Sequence, residues 1–217
     1  KQLGEAALAR LTSAEDASAL GDAWSRLREH FELVCAVPEN VSQLKQAILQ
    51  LAVQGKLVEQ DSSGRNSHCF FADFENGKGP AVRSGRRKPA VLPPIANIDL
   101  PYALPIGWRW ARLGNLVQFQ GGSQPPKTKF THKPQKGYTR LVQIRDFKSD
   151  AQATYIPSEF ANRPFNEKDV MIGRYGPPVF QILRGLSGTH NVALMKADPR
   201  SDFISRDYLF VLLQEPR

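Results

Sequence analysis

Four short apolar runs, separated by basic and glycine-rich loops, constrain the fold more than any other feature of the sequence. They occupy residues 141–144, 169–172, 179–183 and 192–195. Each run is rich in β-branched or large apolar side chains, and three of the four are directly flanked by Gly, Pro or Asn, as is typical of short β-strands. This part of the chain is therefore predicted to form a small β-sheet structure with cationic loops.

Charge is distributed unevenly along the chain. Residues 1–75 carry 7 Lys or Arg against 11 Asp or Glu, whereas residues 76–217 carry 22 against 10. A basic half favours a polyanionic partner, because Lys and Arg that contact phosphates release counterions. A generally basic surface without such a partner is the alternative, and the acidic half argues against DNA contact there.

The first 60 residues are predicted to form two amphipathic helices that pair as a hairpin. Apolar residues recur at steps of three or four, first at Leu20, Trp24, Leu27, Phe31 and Val34 and then at Leu44, Ile48, Leu51 and Ala52. Pro38 should end the first helix, Asn40 is a candidate N-cap of the second, and Gly55 suits the C′ position. The apolar stripes are covered either by each other or by a partner protein.

Residues 61–94 are predicted to be a linker, because their composition shifts to Ser, Gly, Asn, Arg and Pro. The basic cluster at 83–88 is either solvated or an additional phosphate contact, and the phenylalanines at 70–74 are a candidate anchor. His68 and Cys69 lack the second pair of ligands that a zinc site needs. Cys35 and Cys69 are interpreted as reduced thiols.

Residues 95–217 are predicted to form the second domain. Trp108 and Trp110 alternate with arginine as in a half-buried strand, and Ser205 is a candidate N-cap for a final helix. The loop at 127–136 contains four lysines and one histidine, so it either faces DNA or is solvated. The predicted class is α+β, with a helical hairpin, a linker and a mixed, mostly antiparallel β-rich domain with short helices.

Three strings in this β-rich part, LVQIRDFKSD, DVMIGRYGPPVFQILRG and NVALMKA, resemble the target-recognition domain of a type I restriction–modification specificity subunit. The resemblance begins at residues 104–126, LPIGWRWARLGNLVQFQGGSQPP. SQLKQAILQLAVQGKLVEQD, at residues 42–61, resembles the helical segment before the first recognition domain of such subunits. Residues 1–60 are accordingly interpreted as a hairpin for subunit docking, and 95–217 as a recognition domain that is incomplete at its C-terminus.

The resemblance implies a non-catalytic DNA-recognition subunit that reads half of a bipartite site. Such subunits bind methyltransferase (M) subunits, which use S-adenosylmethionine, and the complex recruits a restriction and translocation (R) subunit. We therefore expect double-stranded DNA and M and R subunits as partners, no cofactor in this chain, and a cytoplasmic location. The sequence has neither a signal-peptide pattern nor an apolar run near the ~20 residues that a membrane helix needs.

Ten residues are predicted to contact DNA. The candidates for base edges or the minor groove are Arg174, Tyr175, Gln181, Arg184 and His190, since Arg can pair with guanine and Gln with adenine. The candidates for phosphate contact are Lys127, Lys129, Lys133, Arg145 and Lys148. Gln181 lies inside an apolar run and is alternatively a buried, hydrogen-bonded residue.

No catalytic motif is recognisable. The sequence contains neither a nucleotide-binding loop nor the motif of an amino-methyltransferase, and the histidines at 30, 68, 132 and 190 lack metal or triad spacing. Two alternatives to a separate DNA reader remain. One is an enzyme, either a fused restriction–modification protein of which this is the recognition part or a small nuclease. The other is a protein-interaction module in which the helical hairpin matters most.

Overall fold

The computed structural model of the 217-residue chain describes residues 2–14, 16–60, 95–96, 100–202 and 204–214. The chain divides into two compact units, the first drawn from Lys1–Gly77, Ala96–Trp110 and Gln214–Arg217, the second from Lys78–Ile95 and Ala111–Leu213. The whole of the predicted linker, residues 61–94, with residues 68–69, 70–74 and 83–88, lies outside the described residues. The domain limits 1–60, 61–94 and 95–217 stay predictions.

Four helices lie among the described residues of the first unit. They are α1 Gln2–Ser13, α2 Ala17–Glu29, α3 Phe31–Cys35 and α4 Pro38–Val53. Helix α1 packs against both α2 and α4. The apolar core consists of Leu8, Leu11, Ala23, Leu27, Val34 and Leu44. The predicted two-helix hairpin therefore omitted α1, which supplies two of the buried leucines.

Helix boundaries in this unit differ from the prediction at Pro38 and Asn40, and the predicted first helix is divided at His30 into α2 and α3. Asp16 caps α2 by accepting a hydrogen bond from the Ala19 N–H at 2.8 Å. Pro38 opens α4 at its first position, where a missing N–H costs nothing. Asn40 consequently lies inside α4, buried, and its side-chain amide donates to the Val34 carbonyl at 3.1 Å. Asn40 is thus a contact between helices and not an N-cap.

Gly55 has the predicted role at the C-terminal end of α4. Its φ of 69° is in the left-handed region, and a Cβ there would lie 2.7 Å from Cγ of Pro105. The segment around Trp108 is not a strand, contrary to the prediction. The indole N–H of Trp108 instead donates to Oε1 of Gln60 at 2.8 Å.

The second unit contains two four-stranded sheets, which confirms the α+β class. The first sheet has the order β1–β8–β5–β6, formed by Val117–Gly121, Leu194–Pro199, Val170–Gly173 and Ile182–Leu183. The second has the order β3–β2–β7–β4, formed by Thr154–Pro157, Tyr138–Val142, Gly188–His190 and Pro164–Phe165. Every strand pair is antiparallel except β2–β7.

Short helices complete this unit. They are α5 Leu113–Leu116, α6 Arg206–Leu212 and the 3-10 turns Lys127–Lys129, Ile144–Phe147, Asp150–Gln152 and Ser158–Phe160. Ser205 caps α6 as predicted, since its hydroxyl accepts from the Tyr208 N–H at 3.0 Å. Among the described residues of the chain, no helix is long and apolar enough to cross a membrane.

Strand β5 is buried on both faces and contributes side chains to two apolar clusters. Val170 and Ile172 join a cluster with Leu209 of α6, whereas Met171 joins a separate cluster with Val142 of β2. Successive side chains of a strand point to opposite faces, so β5 links the α6 side to the second sheet. The described residues contain no group of three or more His, Cys, Asp or Glu that could hold a metal ion.

The four predicted runs match the strands unequally. Run 169–172 corresponds to β5 within one residue, and run 141–144 contains the last two residues of β2. Run 192–195 precedes and enters β8, which continues to Pro199. In run 179–183 only residues 182–183 form a strand, because Phe180 has a φ of 62° and interrupts the extended backbone.

Candidate nucleic-acid interface

The candidate site is organised from a tight turn at residues 190–194, between β7 and β8, which we call the central turn. The side-chain carbonyl of Asn191 accepts from the Ala193 N–H at 3.0 Å, and the Leu194 N–H donates to the Asn191 carbonyl at 3.0 Å. Other backbone groups of the turn bond to three segments that lead into loops, at residues 122–123, Val142 and Arg174, while the His190 N–H donates to the Arg163 carbonyl at 3.1 Å. The turn therefore fixes the starting points of three loops.

The first loop, residues 122–136, leaves β1 against this turn. The N–H groups of Gly122 and Ser123 donate to the carbonyls of Leu194 and His190, both at 3.1 Å. A Cβ on Gly122 would lie 1.9 Å from the Asn191 carbonyl oxygen, so only glycine fits. The loop then leads into the 3-10 turn Lys127–Lys129.

The second loop, residues 143–148, begins where β2 ends beside the same turn. The Asn191 N–H donates to the carbonyl of Val142 at 3.1 Å. Gln143 then caps the 3-10 turn Ile144–Phe147, and its own N–H donates to Oδ2 of Asp146 at 2.9 Å. This reciprocal capping holds the short turn that carries Arg145.

The third loop, residues 174–180, connects β5 to β6 and is anchored at its first residue. The Arg174 N–H donates to the Ala193 carbonyl at 2.8 Å, and its guanidinium donates to the Val192 carbonyl at 3.2 Å. A Cβ on Gly173 would lie 3.3 Å from the Ile144 side chain, so the second and third loops touch at their bases. All seven loop residues are exposed.

We call these three segments, residues 122–136, 143–148 and 174–180, the three-loop surface. Seven of the ten predicted contact residues lie on it, all exposed: Lys127, Lys129, Lys133, Arg145, Lys148, Arg174 and Tyr175. Lys133 lies furthest along the first loop, two residues after Thr131, which pairs with Tyr155 of β3. Strands far apart in sequence thus bring the bases of the loops that carry these residues to one turn.

Several of these cations have local partners that orient them. Lys129 lies 5.7 Å from the Phe160 ring centroid, and the Arg174 guanidinium lies 5.6 Å from that of Tyr175. Nε of Arg145 is 3.8 Å from the buried Asp146 carboxylate. Burial raises the pKa of Asp146 above its usual 3.8, against the lowering effects of the Gln143 N–H and the nearby arginines.

Arg184 does not join the three-loop surface. It follows β6, which pairs antiparallel with β5, so it lies at the opposite end of this hairpin from Arg174. Its guanidinium is ion-paired with Asp207 and lies 5.3 Å from the centroid of the Phe210 ring. The structure therefore supports a role for Arg184 in holding α6 and not in contacting a base.

Gln181 and His190 are also placed away from an open surface. Gln181 is half-buried at the base of the third loop, where its backbone carbonyl accepts from the Gly173 N–H at 2.8 Å. His190 is fully buried, with Nδ1 2.8 Å from the Arg163 carbonyl and Nε2 3.2 Å from the Gln120 carbonyl. A buried imidazole between two backbone carbonyls cannot reach a DNA base, so His190 is a structural residue.

Burial lowers the pKa of His190 below its usual 6.5, although both carbonyl contacts oppose that shift. The unfolded chain then binds the proton more readily than the folded chain. The contribution of His190 to stability is present above pH 6.5 and is lost as the pH falls through the lower folded-state pKa. We expect the free energy of unfolding to be lower at pH 5.5 than at pH 7.5, as measured by urea denaturation.

The matched variant for this prediction is His190→Gln, which keeps a hydrogen-bonding side chain but does not titrate in this range. It should be less stable than the original chain at pH 7.5 and should lose less of its stability between pH 7.5 and 5.5. An equal pH dependence in both proteins would show that another group is responsible.

Three residues of this site were not found from sequence. Asn191 organises the central turn, Gly122 is the close contact beneath the first loop, and Phe180 is exposed at the end of the third loop. The Gly-Gly pair after an apolar run was a usable signal for a tight approach. Phe180 could not be found in this way, because an aromatic residue in an apolar run predicts a strand and not an exposed loop residue.

Curated relatives were found for most of the chain. It is 31% identical over 186 residues to the type I restriction enzyme EcoEI specificity subunit of Escherichia coli, covering 82% of this chain and 31% of that protein. It is 32% identical over 177 residues to the EcoAI specificity subunit of the same organism, covering 79% of this chain and 30% of that protein. No family model matches the chain.

Two solved structures are also similar. The HsdS subunit from Thermoanaerobacter tengcongensis has a TM-score of 0.45 and 23% identity, over 53% of this chain and 29% of that chain. A chain from a structure on complex assembly of the type I R-M system has a TM-score of 0.43 and 18% identity, over 88% of this chain and 39% of that chain.

Proposed function

Because the chain belongs to the family of type I restriction enzyme specificity subunits, we propose that it is a DNA-recognition part of such a subunit and reads one half of a bipartite site. The chain spans about a third of the length of the curated relatives it matches. The proposal therefore concerns one recognition domain and the helices before it.

The observation that carries this proposal is the charge of the three-loop surface. Its segments contain seven Lys or Arg and a single carboxylate, Asp146, which is buried. Six of the seven cations are predicted contact residues, and the seventh is Lys136 in the first loop. Cations on loops that begin at one turn are suited to a phosphate backbone, whose contacts dominate affinity for DNA.

The three loops support a division of roles. Lys127, Lys129, Arg145 and Lys148 would contact phosphates, which fixes the register of the protein on the duplex. Arg174 and Tyr175 lie on the loop that projects from β5 and would reach base edges in a groove. The Arg174 backbone is bonded to the central turn, so the position from which its side chain extends toward DNA would be fixed relative to that turn.

The helical unit supports a docking role beside DNA recognition. Phe31 and Leu33 of α3 are exposed large apolar side chains, as are Val58 and Ile106 elsewhere in the same unit. We propose that this unit docks on M subunits, that S-adenosylmethionine is bound there and not by this chain, and that an R subunit joins through the complex. In this proposal the chain is non-catalytic and acts in the cytoplasm.

The experiment that tests the proposal is fluorescence anisotropy of random-sequence duplex DNA with the 217-residue chain across a salt series. We expect binding that weakens steeply with salt, because about 0.9 counterions are released for each phosphate contact. Adding the cognate M subunit should tighten binding and narrow the range of sequences recovered by selection. Absence of binding at low salt in both states would refute DNA recognition by this chain.

A further inference from the structure

Phe180 has an unusual backbone conformation at an exposed position. Its φ of 62° is in the left-handed region, which is rare for a bulky residue, and 65% of its surface is exposed. The conformation is held from both sides, since the Phe180 N–H donates to the Gly173 carbonyl at 3.0 Å and the Gly173 N–H donates to the Gln181 carbonyl at 2.8 Å. A strained backbone with an exposed aromatic ring is a pattern found at functional sites.

Phe180 lies at the C-terminal end of the third loop, beside its base, and belongs to a group of exposed apolar side chains on a cationic surface. Tyr175 and Val179 of the same loop are 56% and 57% exposed, while β5 at its base is fully buried. The base is attached to the central turn through Arg174 and touches Ile144 of the second loop. A firmly anchored loop thus presents apolar groups beside the cations of the three-loop surface.

Resting on the proposed DNA binding, we propose that the exposed apolar side chains at the C-terminal end of the third loop form a wedge. Phe180 inserts between stacked base pairs of the bound duplex and bends it, with Val179 at the edge of the same step. Apolar side chains inserted in this way unstack a base step and kink the duplex. The charge around these apolar side chains favours DNA over a protein partner, because the three-loop surface exposes cations and no carboxylate.

The wedge also assigns a source of specificity that base-edge hydrogen bonds do not supply. Pyrimidine–purine steps unstack and kink more readily than others. Phe180 would therefore select a flexible step without a hydrogen bond to any base. Arg174, at the other end of the loop, would contact the groove beside that step.

The test uses duplexes of about 30 base pairs, selected from a random pool with the 217-residue chain and labelled with a fluorophore at each end. Binding is followed by anisotropy and bending by energy transfer between the two ends. We compare the original chain with Phe180→Gly, which suits a positive φ but removes the ring, and Phe180→Leu, which keeps an apolar wedge. Thermal unfolding of each variant checks that the fold is intact.

We expect the original chain and the Phe180→Leu variant to increase the energy transfer on binding. The Phe180→Gly variant should bind about tenfold more weakly, as loss of an aromatic stacking contact implies, and should leave the energy transfer unchanged. Binding by the original chain without bending, or equal bending by Phe180→Gly, would overturn the wedge while leaving DNA recognition intact. If the Phe180→Gly variant bent DNA as the original chain does but no longer bound the M subunit, the wedge would be overturned in favour of a contact between Phe180 and that protein.

Discussion

Replacing Gly122 with alanine is expected to lower the free energy of unfolding of the β-rich unit by about 3 kcal/mol or more. The added Cβ would lie 1.9 Å from the Asn191 carbonyl oxygen and 2.6 Å from that of His190. Both obstacles are backbone atoms of the central turn, so no side chain can move aside. Separating them would break the hydrogen bonds from Gly122 and Ser123 to the turn.

The neighbouring Gly121→Ala variant is the matched control, because nothing lies within 4 Å of its new Cβ. It should change stability by well under 1 kcal/mol. The measurement is the urea dependence of amide hydrogen exchange in β5 and β8, which reports on the β-rich unit separately from the helices. Equal stability of the two variants would contradict the close packing of the first loop against the turn.

Removing four cations from the three-loop surface is expected to weaken binding to duplex DNA by about 100-fold at low salt. The variant carries glutamine at Lys127, Lys129, Arg145 and Lys148. Each lost phosphate contact should reduce the slope of log affinity against log salt by about 0.9, so the slope should fall by about 3 to 4. All four positions are exposed, so the fold should be retained.

The control for this variant removes the same charge from the helical unit. It carries glutamine at Arg10, Arg26, Arg28 and Lys45, which are all exposed. Its salt slope should match that of the original chain, because these residues lie on the unit proposed to dock on protein. If both variants lost affinity equally, net charge alone would explain the binding and the three-loop surface would have no special part in it.

Local signals in the sequence were sufficient for several elements. Strand β5 was located within one residue because a fully buried strand consists of a continuous apolar run. The cap positions of Ser205 and Gly55 were predicted correctly because capping depends on the hydroxyl of the one and the permitted positive φ of the other. The α+β class followed from the change in hydrophobic period between the two halves. The predicted phosphate residues lie exposed on loops between strands, as the clustering of Lys and Arg between apolar runs indicated, and their contact with phosphate stays a prediction.

Tertiary contacts decided what the sequence could not show. His190 is polar and follows a glycine-rich segment, which favours a surface position, yet two distant backbone carbonyls require a buried polar group there. Arg184 resembles Arg174 in its local setting, and only the packing of α6 provides Asp207 as its partner. The left-handed conformation of Phe180 is likewise imposed by hydrogen bonds from β5 and could not be inferred from an apolar run.

The ring of His190 has a consequence for the order in which the protein is made. Its Nε2 lies 3.2 Å from the carbonyl of Gln120, 70 residues earlier, and β8 pairs with the edge strand β1 only when residues up to Pro199 are present. Contacts between segments so distant in sequence slow folding, because a long stretch of chain must be closed first. On the ribosome, the first two loops would therefore emerge well before the turn at residues 190–194, and the hydrogen bonds that fix their starting points would form only after that turn is made.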